Sequence, residues 1–150
     1  MDSLHTPHGM ALRKGRVSLP NQIYHITAAT TDRAPVFHDL YAARILVTAF
    51  HAEETRHRSQ TLAYVVMPDH FHWLMQLNEG VVLAKVVGAV KSVCAHRVGR
   101  EIRQRVYHDH ALRRDEDMQR TARYIVSNPL RAGLVTRLED YPHWDAIWLP

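Results

Sequence analysis

From residue 70 to residue 77 the large apolar side chains fall on alternate positions. Phe71, Trp73, Met75 and Leu77 share one parity, with His70 and His72 on the other. A period of two marks a β-strand with one face buried. Three further strands are expected. "QIYHITAATT" (22–31) and "TLAYVVM" (61–67) are rich in β-branched and aromatic residues, and "RVYHDHALR" spans 105–113. Pro68-Asp69 separates the second strand from the third. Helical spacing appears elsewhere. Residues 39–57 carry apolar side chains at 40, 43, 46, 47 and 50 behind Asp39 as N-cap, and 81–100 carry them at 83, 86, 87, 90, 94 and 98. A third helix opens at Asp115, has Met118, Ala122 and Ile125 as its apolar stripe, and is closed by Asn128-Pro129. The tail after it holds turn residues and aromatics with no clear period.

The order β-α-β-β-α-β predicts an α+β, ferredoxin-like fold, an antiparallel sheet with helices on one face. The other face is expected to be free for a ligand. Single-stranded nucleic acid is one class that such a face takes.

A length of 150 residues suits one domain, 1–150, with a core of its own. The first 15 or so residues read as a mobile start to a cytoplasmic protein, because they lack the apolar stretch of a secretory signal. No apolar run is long enough to span a bilayer, so no membrane partner is expected. The single cysteine, Cys94, excludes an intrachain disulfide and a Cys-rich zinc site. Charge is distributed unevenly. Of the net +4, the stretch from Lys91 to Arg137 holds eleven basic against five acidic residues, a local balance of +6. That asymmetry favours a polyanion. Candidate phosphate contacts are Arg120, Arg123, Arg131, Lys85, Lys91 and the "RKGR" segment with Arg13, Lys14 and Arg16.

The chain has twelve histidines and two His-x-His pairs. His70 and His72 project from one face of their strand while Phe71 anchors the other, so both imidazoles stand where they can share a divalent ion. His108 and His110 flank a charged residue, Asp109, and lack such an anchor. The pattern alone also describes ordinary strand histidines. Further context comes from the third helix. At about 100° per residue, Tyr124 lies roughly 120° from the apolar stripe and Asn128 about 40° from Tyr124, one turn on. An exposed tyrosine and an Asn-Pro helix stop would give the same spacing. Together, however, the pieces compose a phosphotransfer site. Its parts are an ion on two histidines and Asn128, and a tyrosine hydroxyl able to attack phosphorus. Nitrogen and oxygen donors suit Mg2+ or Mn2+ on phosphate, while imidazoles alone would accept zinc. A non-catalytic single-stranded nucleic-acid-binding module and a zinc hydrolase remain as alternatives.

Four segments, "GRVSLPNQIYHIT", "AYVVMPDHFHWLMQL", "YHDHALRRDEDMQRTARYIVSNPLRAGLV" and "YPHWDAIWL", closely resemble the REP-associated tyrosine transposases. These are relatives of the HUH single-tyrosine insertion-sequence transposases. The resemblance implies a ferredoxin-like (RRM-like) HUH endonuclease fold, His70 and His72 as metal ligands, Asn128 as an additional metal-side residue, and Tyr124 as nucleophile. It implies single-stranded or hairpin DNA, the repetitive extragenic palindromes, cut to a 5′-phosphotyrosyl enzyme and a free 3′-hydroxyl. The REP-associated branch further implies a monomer rather than a homodimer. Tyr107 stands where many relatives have tryptophan, and no role is implied for His108 or His110.

Overall fold

The computed structural model of the chain describes residues 22–99, 108–112 and 115–148, and the side chains of 108–112, 115 and 116 lie outside that description. The expected mobile segment and its basic residues Arg13, Lys14 and Arg16 also fall outside the described residues. The elements run β1 (Ile23–Ala29), α1 (Leu40–Thr55), β2 (Ser59–Met67), β3 (His70–Leu77), α2 (Leu83–Val98), β4 (His108–Leu112), α3 (Asp115–Val126), a single turn α4 (Asn128–Arg131) and β5 (Trp144–Ala146). They form a five-stranded sheet in the order β4-β1-β3-β2-β5, with all four neighbouring pairs antiparallel. The first four strands in the order 4-1-3-2 are the expected α+β arrangement. β5 adds an edge that the irregular tail did not announce.

The alternation in β3 sets the layers. Phe71, Trp73, Met75 and Leu77 are buried beside Tyr24, Ile26, Ala28, Tyr64 and Val66, against Leu46 and Phe50 of α1 and Val86, Val87 and Val90 of α2. Trp73 is fully covered. It stacks on Phe50 at 4.5 Å between ring centroids, and its Nε1 donates to Thr61 Oγ1 at 3.0 Å. The indole therefore gains apolar contact without losing its hydrogen bond. Asp39 caps α1 by accepting from Tyr41 N at 3.1 Å. Near the other end, Glu53 is buried and accepts two bonds from Arg58, at 2.7 and 2.8 Å.

The second face of the sheet is less open than expected. Ile23, Leu62, Ala63, Val65, Met67 and Leu74 form a second core with Ala122, Ile125 and Val126 of α3 and Ala146 of β5. Met118, Tyr141, Trp144 and Trp148 pack at its margin. A register shift between Thr61 and Ala63 accompanies the placing of both Leu62 and Ala63 in this cluster. α3 lies mainly over β2 and touches β3 less. The apolar stripe of α3 needed a surface to cover, and the alternate residues of β2 supply one. No helix among the described residues is long and apolar enough to cross a membrane.

Candidate active site

His70 and His72 lie on the second face, on the strand between β1 and β2. Register places His72 opposite Thr27 and Val65, and His70 opposite Ala29 and Met67. The two rings are 5.2 Å apart between centroids and nearly perpendicular, at 81°. In each ring Nδ1 is engaged by the protein. His70 Nδ1 sits 2.7 Å from Asp69 Oδ1, and the Asp69 carboxylate pairs with Arg33 Nε at 3.1 Å. His72 Nδ1 sits 2.9 Å from His25 Nε2 and 3.2 Å from Thr27 Oγ1. The nitrogen not used in these bonds is Nε2 in both rings, which is a common arrangement around metal-binding histidines.

Electrostatics separate the groups. Burial pushes His72 down to about 3, with repulsion of its cationic form by the neighbouring His25, His70 and Arg131 adding to the effect, so it is neutral at ordinary pH. Burial raises Asp69, but the His70 hydrogen bond and the Arg33 charge outweigh it and hold the carboxyl below its usual value. A neutral imidazole and an ionised carboxylate behind its neighbour are the forms a cation would need.

α3 brings a phenol ring beside His72. Its buried stripe, Ala122, Ile125 and Val126, docks on the sheet, and Tyr124 on the adjoining side remains 53% exposed. The Tyr124 ring meets His72 edge-on, 6.1 Å between centroids and 87° between planes, within one chain. The Arg131 guanidinium lies 4.1 Å over the same ring, donates to Tyr124 O at 3.0 Å and bonds Ser127 Oγ.

The helix does not run unbroken to Asn128. It stops at Val126 and resumes as the short turn α4 after Ser127. The carbonyl of Ile125 would ordinarily accept from the N–H four residues on, but that residue is Pro129, which has none. Asn128 Nδ2 donates there instead, at 3.4 Å. This orients the amide: its nitrogen turns to the helix, and its oxygen is left for another partner.

Residues 18–114 match the sequence model of the family described as "Transposase IS200 like". The chain belongs to that family. It is similar to the REP-associated tyrosine transposase of Escherichia coli K12, at 32% identity over 82 residues, 53% of this chain and 50% of that one. A Haemophilus influenzae protein provisionally given the same name is 28% identical over 100 residues, 56% of this chain and 57% of that one. The chain therefore spans about half the length of these curated relatives. Among solved structures, a REP-associated tyrosine transposase bound to a REP hairpin superposes with a TM-score of 0.74 at 26% identity, over 86% of this chain and 79% of that one. The resemblance read from the motifs and the α+β fold are thus both shown.

In this family member the other candidate residues are scattered. Arg120 is exposed, one turn before Tyr124 on α3, and reaches Asp117 at 3.4 Å. Arg123 is exposed and lines a small groove with Gln119, Val126, Ala146 and Trp148. Lys85 and Lys91 belong to α2, which packs on the first face, across the sheet from the histidines. Register sets His110 opposite His25 and His108 opposite Thr27, while their side chains lie outside the described residues. Among the described residues, no cluster of three or more His, Cys, Asp or Glu could hold a metal. Among the described residues, further donors to an ion on His70 and His72 would be oxygens of another kind. Asn128 and substrate phosphate are of that kind, and a closed zinc site is not. Four neighbours of the pair, His25, Thr27, Asp69 and Arg33, were not singled out from the sequence. Alternation in β1 puts His25 and Thr27 on one face, but only the strand order shows that this face adjoins His72.

Proposed function

We propose that this chain is a divalent-metal-dependent single-stranded DNA endonuclease and strand transferase. It acts on hairpin-forming repetitive extragenic palindrome DNA through a 5′-phosphotyrosine on Tyr124. The observation that carries this reading is the approach of Tyr124 to His72 within one chain, 6.1 Å between ring centroids. Family membership supports a transposase, and the REP hairpin held by a structural relative supports the substrate class.

His70 and His72 would hold Mg2+ or Mn2+, with Asn128 offering its amide oxygen. When bound, such an ion neutralises charge on the non-bridging phosphate oxygens. Everything else falls to the chain. Tyr124 Oη attacks phosphorus, forming an O–P bond as the bond to the 3′-oxygen breaks. The electron pair leaves on that oxygen, which takes a proton from solvent to become a 3′-hydroxyl, and the phenolic proton passes to solvent. Attack by a 3′-hydroxyl on the phosphotyrosine reverses the exchange, so joining needs no nucleotide triphosphate. Because tyrosine and histidines meet in one chain, a monomer suffices.

The non-catalytic alternative finds less support. Phe71 and Trp73 are buried under α1 and α2 rather than displayed for stacking on bases. Incubation with a labelled REP-type hairpin and Mn2+ should give a protein–DNA adduct that survives denaturing electrophoresis. Tyr124→Phe should abolish it while leaving hairpin binding nearly intact, and His72→Ala should remove metal-dependent adduct formation. An adduct formed by Tyr124→Phe would sink the nucleophile assignment.

A further inference from the structure

We propose that His25 is a positioning residue: it holds His72 in the tautomer that carries its proton on Nδ1, so that Nε2 presents a lone pair to the cation. The proposal rests on the metal role assigned to His72 above. Its first part, the tautomer, can be tested without any metal.

The placement follows from register. Thr27 on β1 stands directly opposite His72 on β3, and His25 is two residues away on the same strand. Both side chains therefore reach His72 from one side, at 2.9 Å for His25 Nε2 and 3.2 Å for Thr27 Oγ1. The imidazoles lie 5.1 Å apart and are tilted by 36°. Neutral imidazole has one N–H and one lone pair. If Nδ1 of His72 were the acceptor, its single lone pair could serve only one of two converging donors. If Nδ1 carries the proton, one N–H can be shared between two acceptors, as three-centre bonds commonly are. The convergence of His25 and Thr27 on a single nitrogen thus favours Nδ1–H.

The neighbouring ring supplies an internal comparison. His70 Nδ1 faces Asp69 Oδ1 at 2.7 Å, and an ionised carboxylate can only accept. His70 must therefore carry its proton on Nδ1 as well. Asp69 does for His70 what His25 does for His72, and both rings are left with the same free position. With the opposite tautomer in His72, the pair would offer one lone pair and one N–H, and could not ligate together. A neutral ring is chosen here in place of a second carboxylate, and that choice adds no negative charge where a DNA phosphate must approach.

Long-range 1H–15N spectra of the metal-free protein near neutral pH report the tautomer directly. We expect a protonated Nδ1 and a bare Nε2 for His72. His25→Phe should shift it toward the other tautomer and weaken Mn2+ binding, read by electron paramagnetic resonance, by roughly 10- to 100-fold. His25→Gln, whose amide oxygen can accept the same proton, should keep the tautomer and most of the affinity. A proton on Nε2 in the unmodified protein would overturn the proposal, whether or not any variant folds. So would a His25→Phe variant with tautomer and Mn2+ affinity unchanged. If the tautomer responds to His25 while Mn2+ leaves the His72 signals untouched, the positioning claim stands and the metal role of His72 falls.

Discussion

Besides His72, Arg131 touches the exposed ring of Tyr124, and it does so while tied to the backbone of the same helix through Tyr124 O. On charge alone, Arg131 was a candidate phosphate contact. In the folded chain its guanidinium has local partners, and its first effect is to fix the direction of the phenol. A cation over an exposed ring contributes roughly 0.5–1 kcal/mol, equivalent to a two- to five-fold change in rate if it acts only on orientation. Arg131→Gln should therefore slow adduct formation at saturating hairpin by about that factor. A loss of hairpin affinity with the rate unchanged would return Arg131 to phosphate binding. At this scale the sequence was most informative where spacing carries geometry. His70, His72 and the exposure of Tyr124 follow from periods of 2 and 3.6. His25, Thr27 and Asp69 are single residues whose partners lie on other strands or across a turn, and no spacing announces them.

α3 connects the site to the core. Ile125 is fully buried against the second face, one residue from Tyr124, so its packing sets where the hydroxyl stands. Ile125→Ala should cost about 2–5 kcal/mol of stability and also reduce adduct yield under conditions where the variant is folded. Leu46→Ala, in the other core, should cost a similar amount and leave the yield of the folded fraction unchanged. Equal losses of yield from both variants would show that α3 has no special part in placing Tyr124. The bounds of β3 were readable to the residue, because its alternation is strong and Pro68-Asp69 marks its start. The docking of α3 was not readable. A stripe of Met118, Ala122 and Ile125 says that one side of a helix is covered, without naming the surface. The tail is harder still, because a three-residue strand and a single 3-10 turn (Leu138–Asp140) are too short to show a period.

At the scale of the molecule, the sheet separates two tasks. One face carries the larger core with α1 and α2, and the other shares α3 and β5 with the histidines. A consequence is sensitivity to acid. Burial lowers His72 from 6.5 to about 3. It lowers His143 also, with the Arg44 charge adding to the effect. In the unfolded chain both regain ordinary values. The stability tied to their neutral forms is fully present above about pH 6.5 and is lost as pH falls, for His72 down through about 3. The urea midpoint of the metal-free protein should fall between about pH 7 and about pH 5, and His143→Gln should flatten part of the decline. A midpoint that does not move would contradict the burial of neutral imidazoles.

The proposed chemistry requires one covalent bond, between Tyr124 Oη and a DNA 5′-phosphate. Its most direct measurement is mass spectrometry of the adduct after nuclease trimming and tryptic digestion. Cleavage after Arg123 and Arg131 isolates the peptide Tyr124–Arg131, which should carry the mass of a nucleotide phosphate localised to its tyrosine. A nucleotide found on any other residue, or efficient strand cleavage with no modified peptide, would contradict the account.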